Sequence, residues 1–471
     1  MNQKFYITAA IPYVNANPHI GHALEFVQVD AIKRFHKLLG EDTLSLSGGD
    51  ENALKNVQAA EETGVPVQKF VDKNTEIFFD LTKKLNCEFD IWQKGSDKKH
   101  HLSAQKLWKL CEKNIYKKKY EGLYCVGCEA FYSPEELNEN GECYEHPGKK
   151  LEKVSEENYF FALSKYQDEL IQLIQSNELK IIPETRKNEV LSFLKEPLQD
   201  ISVSRTNTRA KNWGVPVPND DNQRIYVWFD ALNIYQSGIG FGWDEKKYKK
   251  YWPADVHVIG KGIIRFHAVY WPAFLLSAKL SLPKTIFVHG YFTVNGQKMS
   301  KSLGNVIDPF GLIKKYGADA LRYYLLGKFS PFSDGDFSEE KLKDVYNSDL
   351  ANGLGNLVAR VAKLCETAGL TAGKPRGYKF PKLVTENFDT YRFDYALESV
   401  WERIALLNKQ IDTEKPWENL GKKHQFLVEL VGGIREIAFS LRPFLPETAE
   451  KIEKQFSSSK IKSEALLFPR L

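Results

Sequence analysis

The chain opens on a strand, a Pro/Asn-rich loop and a helix beginning at His19-Ile20-Gly21-His22, and few folds accommodate that order. Residues 4–10 alternate apolar and polar, with Phe5 and Ile7 on one face, which predicts a short strand. The loop IPYVNANPHIGH follows, then an amphipathic pattern to about Leu39, with Gly40 placed as a C′ cap. Residues 43–46 read as a second strand that runs into an SGGDEN loop. Strand, loop, helix, strand is the opening of a doubly wound parallel sheet. A helix that starts after such a strand offers unpaired N–H groups and its positive dipole end to an anion. Gly21 removes a side chain where a flat ring could approach the backbone. His19 and His22, three residues apart, can face one ligand and donate to phosphate oxygens as charge builds. Alone, the four residues are read equally well as two solvent-facing histidines at a helix start.

With 471 residues the chain exceeds one ordinary core, so two to four domains are expected. Residues 1–118 form the first half of the sheet domain. Residues 119–222, with a cysteine cluster and the proline-spaced WGVPVPNDD, read as an insertion. The sheet is expected to resume over 223–325, with strands at RIYVWF (224–229), VHVIG (256–260) and IFVH (286–289). A linker spans 326–350. Beyond it strand signals vanish, and DLANGLGNLVARVAKLCE and QFLVELVGGIREIAFSLRPFLPETAEKI carry helical periodicity, so 351–471 is expected to be a helix bundle.

Basic residues number 65 against 61 acidic ones, for a net charge of +4, so nucleic-acid contact requires local patches rather than a global field. The lysine-rich run 94–119 is read as a solvated helix face. No apolar run reaches membrane-span length, and the N-terminus lacks the apolar core of a signal peptide, which makes a cytoplasmic location the default.

Six cysteines are too few for a disulfide scaffold. Cys125 and Cys128 form one tight pair; Cys143 and His146, after fourteen residues, form another. Two such pairs suit a closed, tetrahedral structural Zn²⁺ site. Free thiols beside a surface histidine are the plainer reading. Cys87, Cys111 and Cys365 lack this pairing and are expected to be buried and inert.

A second motif, Lys298-Met299-Ser300-Lys301-Ser302, lies between Gly296 and Gly304 after a predicted strand. Its lysines can clamp a triphosphate, and flanking glycines let the loop close. With the histidine motif and this motif in that order on opposite halves of a split sheet, the chain resembles the class I aminoacyl-tRNA synthetases. AIPYVNANPHIGHA, YVWFDALNIYQSG, IRFHAVYWPAF, VHGYFTVNGQKMSKSLGNVIDP and GADALRYYLL are similar to segments of the methionine-specific family, from about residue 4 to the end. The resemblance implies a Rossmann-type parallel sheet split by a zinc-knuckle insertion and followed by an all-α anticodon-binding bundle. It implies a ligase that activates L-methionine with ATP and Mg²⁺ to methionyl-adenylate and pyrophosphate, then charges the 3′ end of tRNA(Met).

Carried over position by position, the resemblance assigns catalysis to His19, His22, Lys298 and Lys301. ATP contacts fall on Asn15, His19, Gly21, His22, Gly260, Lys298 and Lys301. The methionine pocket is Ile11, Tyr13, Asp50, Trp228, Ala231, Leu232, Tyr235, Ile263, His267 and Tyr270; a plain aromatic core is the alternative for that cluster. Asp50 suits the substrate ammonium, and the aromatic rings suit a thioether. Asn356, Arg360 and Trp417 match positions that read the anticodon, with Trp417 offered for stacking. The knuckle is implied to position the tRNA acceptor end. With no appended dimerising module in view, a monomer is expected.

Two segments depart from the family. An acidic–x–His–Gly loop is here Asp50-Glu51-Asn52-Ala53, and a Gly-Lys-Asp segment is Gly260-Lys261-Gly262. The missing aspartate puts the ribose contact in question, and Asn52 is a candidate polar substitute. These departures leave open a catalytically weakened, synthetase-like tRNA-binding protein, and a synthetase for leucine or cysteine is a further alternative. Survival of both motifs and of Asp50 argues against the first, the thioether-type pocket against the second.

Overall fold

A computed structural model describes residues 3–127, 130–132, 134–144, 148–299, 304–371, 373, 377–458 and 460–471. The chain divides into two compact units. The first comprises Met1–Pro18, Glu41–Asp80 and Phe89–His289; the second comprises His19–Gly40, Leu81–Glu88 and Gly290–Leu471.

The first unit is built on a six-stranded, wholly parallel sheet. Its strands are β1 (Lys4–Ala9), β2 (Asp42–Gly49), β3 (Ile91–Lys94), β4 (Lys180–Ile182), β5 (Val256–Gly260) and β6 (Thr285–His289), in the spatial order β3-β2-β1-β5-β6-β4. Central β1 and β5 are buried on both faces, which is how parallel strands between covering layers read. Chain reversal between β2 and β5 around β1 makes the switch point where such sheets bind ligands. Close approach of strands β2 and β3 at their ends requires glycine: a Cβ at Gly48 would lie 1.8 Å from the Gln93 carbonyl oxygen.

The expected strand at 224–229 is not formed. A strand covers Asp220–Ile225 and pairs antiparallel with Ser204–Thr206 and Pro216–Val217 in a separate small sheet, while Val227–Leu232 is helical. Every residue of that helix is buried, so its apolar run carries no period that separates helix from strand. The outer place in the sheet goes instead to β4, which comes from inside the 119–222 segment. The rest of that segment includes a four-stranded sheet with the long antiparallel hairpin Ile115–Cys125 and Glu152–Phe161. The lysine run is only partly a helix face: helix Lys98–Cys111 ends before the hairpin, and Lys94, Lys106 and Lys117 are paired with Asp72, Glu245 and Asp220.

In the second unit, helix α1 (Ile20–Leu38) lies with the C-terminal half of the chain. Gly40 ends it at φ +91°, as its capping role demands. Helix α2 (Ala318–Gly327) is almost wholly buried. The helices Asn356–Thr367, Lys382–Asp389, Phe393–Glu414, His424–Leu441 and Pro446–Ser457 form the expected bundle. Among the described residues no helix is long and apolar enough to cross a membrane.

Candidate active site

In the first unit the aromatic residues singled out from sequence come together. Tyr13 follows β1 and bridges to Asp50 at the end of β2, whose N–H donates to the Pro12 carbonyl at 2.9 Å. The buried helix Val227–Leu232 supplies Trp228, Ala231 and Leu232. Tyr13 meets the Trp228 ring edge-on at 6.2 Å between centroids, and Phe266 stacks on its face at 3.7 Å. His267 and Tyr270 lie on a π-helical turn, Phe266–Tyr270. Ile11 and Ile263 are partly buried against the same core. Lys55 holds its ammonium over the Tyr13 ring, 3.1 Å from the centroid, and donates to the Gly127 carbonyl at 3.0 Å.

Protonation at the centre of this pocket follows from its hydrogen bonds. His267 Nδ1 is 3.0 Å from the Ile263 carbonyl oxygen, so it carries the proton and donates. Nε2 then accepts the Tyr235 hydroxyl at 2.7 Å. Burial pulls the His267 pKa down to about 4, only partly opposed by the Ile263 bond, so the ring is neutral. His257, on β5, is also buried and shifted well down by desolvation; its Nδ1 lies 2.6 Å from Thr8 Oγ1. The resulting wall is aromatic, polarisable and uncharged.

Phe266 and His257 were missed in the sequence, although both lie in or beside the strand and helix segments that drew attention. Their signal was the run IRFHAVYW and the histidine inside an otherwise apolar strand.

The second unit carries both nucleotide motifs. His19 is the N-cap of α1: its Nδ1 accepts the Gly21 N–H, while His22 Nδ1 accepts the His19 N–H, each at 3.1 Å. The pair forms a capping box made of imidazoles, with the rings stacked 3.9 Å apart. Since each Nδ1 is an acceptor, each ring proton sits on Nε2. Desolvation lowers the His19 pKa to about 4. A Cβ at Gly21 would come within 3.0 Å of the His19 ring, so the glycine is required by the cap itself.

The start of α1 meets the segment that follows the lysine motif: Ile20 N–H donates to the Ile307 carbonyl at 3.1 Å. Both motifs fall in the second compact unit. The cause is tertiary, since the buried face of α1 packs with the helices that follow residue 317. Lys298 is exposed on a hairpin, Phe292–Val294 with Gln297–Lys298, turned by Asn295 and Gly296 at φ 54° and 72°. Asp336 accepts from Gly296 N at 2.8 Å and Thr293 Oγ1 at 2.7 Å. Lys301 lies outside the described residues. Asn15 is half-buried in the loop after β1, and Gly260 is buried at the end of β5.

Cys125 and Cys143 are buried with their sulfurs 3.4 Å apart. That is too far for a disulfide and near the roughly 3.8 Å expected of two thiolates on one tetrahedral ion with metal–sulfur bonds of about 2.3 Å. Cys128 and His146 lie outside the described residues, and among the described residues no group of three metal-type side chains occurs. Cys87, Cys111 and Cys365 are buried, with thiol pKa values pushed up, to about 12 for the last two.

At the bundle, Asn356 is exposed and Arg360 half-buried, one helical turn apart. Arg360 pairs with Asp412 at 2.6 Å, and Trp417 is 50% exposed on the turn that follows helix Phe393–Glu414.

Comparison with known proteins agrees with this geometry. The family model described as tRNA synthetases class I (M) matches residues 5–362. The methionine–tRNA ligase of Thermotoga maritima is 40% identical, covering 96% of this chain and 75% of its own. That of Brucella suis is 39% identical over 96% of this chain and 91% of its own. Mycobacterium tuberculosis methionyl-tRNA synthetase in complex with methionyl-adenylate superposes with a TM-score of 0.91 at 36% identity, covering 99% of this chain and all of that one. The chain belongs to the class I tRNA synthetases, in the family designated (M).

Proposed function

We infer that the chain is a methionine–tRNA ligase. In the first step a methionine carboxylate oxygen attacks the α-phosphorus of ATP, giving methionyl-adenylate and pyrophosphate. In the second, a ribose hydroxyl at the 3′ end of tRNA(Met) attacks the aminoacyl carbonyl and AMP leaves. The weakened, tRNA-binding alternative draws no support from the relatives, whose names are those of ligases.

One observation carries the amino-acid assignment: the neutral Tyr235–His267 pair beside the Trp228–Phe266 stack. An uncharged aromatic wall suits a thioether, since sulfur–aromatic contacts are favourable and no ionised group repels an apolar chain. Ile11, Tyr13, Ala231, Leu232, Ile263 and Tyr270 complete the lining, and Asp50 takes the ammonium. His19 and His22 present Nε2–H donors to phosphate oxygens, where charge grows in displacement. Lys298 and Lys301 neutralise the departing pyrophosphate, and Asn15, Gly21 and Gly260 complete the ATP contacts. Mg²⁺ enters with ATP as part of the substrate.

Cys125, Cys128, Cys143 and His146 would hold one Zn²⁺, which supplies structural cross-linking of the 119–222 segment when bound. Residues 326–350 are assigned to the tRNA stem and 351–471 to the anticodon, read through Asn356, Arg360 and Trp417. Translation enzymes of this kind work in the cytoplasm. ATP–pyrophosphate exchange assayed with each of the twenty amino acids tests the reading. Methionine should support it; comparable exchange with leucine or cysteine overturns the pocket assignment.

A further inference from the structure

Asn52, the candidate polar substitute of the loop after β2, is held by contacts that show what it does. Its side-chain amide donates twice at 2.8 Å, to the Gly95 carbonyl and to Asp230 Oδ2. The other Asp230 oxygen, Oδ1, lies 3.3 Å from His100 Nε2, and His100 Nδ1 lies 2.8 Å from Ser237 Oγ. Asn52 is 8% exposed, Asp230 1%, and His100 and Ser237 not at all. A serine, histidine and aspartate in series suggest a nucleophilic triad, but a hydroxyl with no exposure meets no substrate. The network is architectural.

Its position gives it a task. Asp230 sits on the helix Val227–Leu232, between Trp228 and the pair Ala231 and Leu232. That helix contains no basic residue to neutralise a buried carboxylate. The charge is met from outside, by His100 on the helix Lys98–Cys111 and by Asn52 on the loop after β2. The same loop is pinned at its neighbours: Glu51 accepts Thr75 Oγ1 at 2.6 Å and Ser96 N at 3.1 Å, and Asn56 donates to the Asp50 carbonyl at 2.7 Å. Both amide hydrogens of Asn52 are therefore engaged by protein acceptors.

We propose that Asn52, acting through Asp230, is a positioning residue for the amino-acid pocket and makes no contact with the nucleotide. It sets the spacing between the Asp50 loop and the helix bearing Trp228. This rests on the reading of that pocket as the methionine site.

The test is methionine-dependent ATP–pyrophosphate exchange with the full chain. Loss of two buried hydrogen bonds, one of them to a charged group, should raise KM for methionine at least about tenfold in Asn52→Ala, with KM for ATP unchanged within about twofold. Asn52→Asp, which sets two carboxylates together, should be worse by about a further tenfold. The double variant Asn52→Asp/Asp230→Asn re-forms the contact to position 230 with donor and acceptor exchanged and keeps an amide oxygen facing His100, but it leaves the Gly95 carbonyl without its donor. It should bring KM for methionine about tenfold below that of Asn52→Asp without reaching the value of the original chain. Thermal melting of each variant accompanies the kinetics. Equal rises in both KM values, a rise for ATP alone, or a double variant no better than Asn52→Asp overturns the proposal. Should Asn52→Asp not fold, the split between the two KM values in Asn52→Ala decides. Exchange by the unaltered chain that ignores methionine would instead defeat the pocket reading itself.

Discussion

Asp30 on α1 and Arg322 on α2 form an ion pair at 2.7 Å, and neither side chain is exposed at all. Arg322 also donates to the carbonyls of Phe444 (2.6 Å), Pro443 (3.0 Å) and Leu85 (3.1 Å), while Asp30 Oδ1 accepts the Glu88 N–H at 2.8 Å. Four chain segments distant in sequence thus converge on one charge pair. The helix it anchors is the one that presents His19 and His22 at its start.

Removing Arg322 leaves the buried Asp30 to Arg34, whose Nε donates to it at 2.8 Å, and strips the carbonyls of Leu85, Pro443 and Phe444 of their donor. Arg322→Met should cost about 3–5 kcal/mol of stability. Adding Asp30→Leu should return part of that loss, because the second charge is then gone too. Urea denaturation of the single and double variants measures both effects. A single variant within about 1 kcal/mol of the original chain would show that the pair is dispensable.

His267 links stability to pH. An unfolded imidazole takes its proton near pH 6.5, whereas the buried ring holds out until about pH 4. The unfolded state therefore binds more protons between those values, and stability falls as pH drops through that window. The contribution is full above pH 6.5 and amounts to at most about 3 kcal/mol. Denaturation midpoints at pH 7.5 and pH 5 should differ less in His267→Gln than in the original chain. An unchanged difference would mean that His267 is protonated in the fold.

The sulfurs of Cys125 and Cys143, 3.4 Å apart, predict one tightly held Zn²⁺ per chain. Elemental analysis of protein purified without chelator should find it, and Cys143→Ser should lose it. Far-UV circular dichroism should change little, because the parallel sheet has its own core. Metal-free protein with the native cysteines intact refutes the assignment.

Trp417, half exposed, is available for a base to stack on. Stacking is worth roughly 1–3 kcal/mol per base, so Trp417→Ala should lower tRNA charging by one to two orders of magnitude. Exchange without tRNA should be nearly unaffected. Equal losses in both assays would make Trp417 a packing residue.

Much of the architecture was legible in local pattern. β1, α1, β5 and β6 appear where alternation and helical period put them, and Gly40 ends its helix because the left-handed backbone there strains other residues. The grouping of Tyr13, Trp228, Tyr235 and His267 was legible only through the resemblance, since tryptophans and tyrosines in apolar runs read equally well as core. The meeting of Cys125 and Cys143, 18 positions apart, joins one member of each spaced pair and was not given by the spacing within either pair.

What the sequence by itself determined is therefore chemistry and local shape: two histidines on a helix start, lysines on a glycine-flanked turn, paired thiols and a β-α-β opening. Tertiary structure decided the remainder. Val227–Leu232 became a helix because burial on every side erased the period that would have named it. The histidine motif joined the unit of the lysine motif through a hydrogen bond between residues 20 and 307. Asn52 was committed to Asp230, across 178 positions, by one amide hydrogen and a buried carboxylate in need of donors, its other hydrogen going to Gly95. None of these is written in spacing, because each depends on which distant groups burial leaves to satisfy one another.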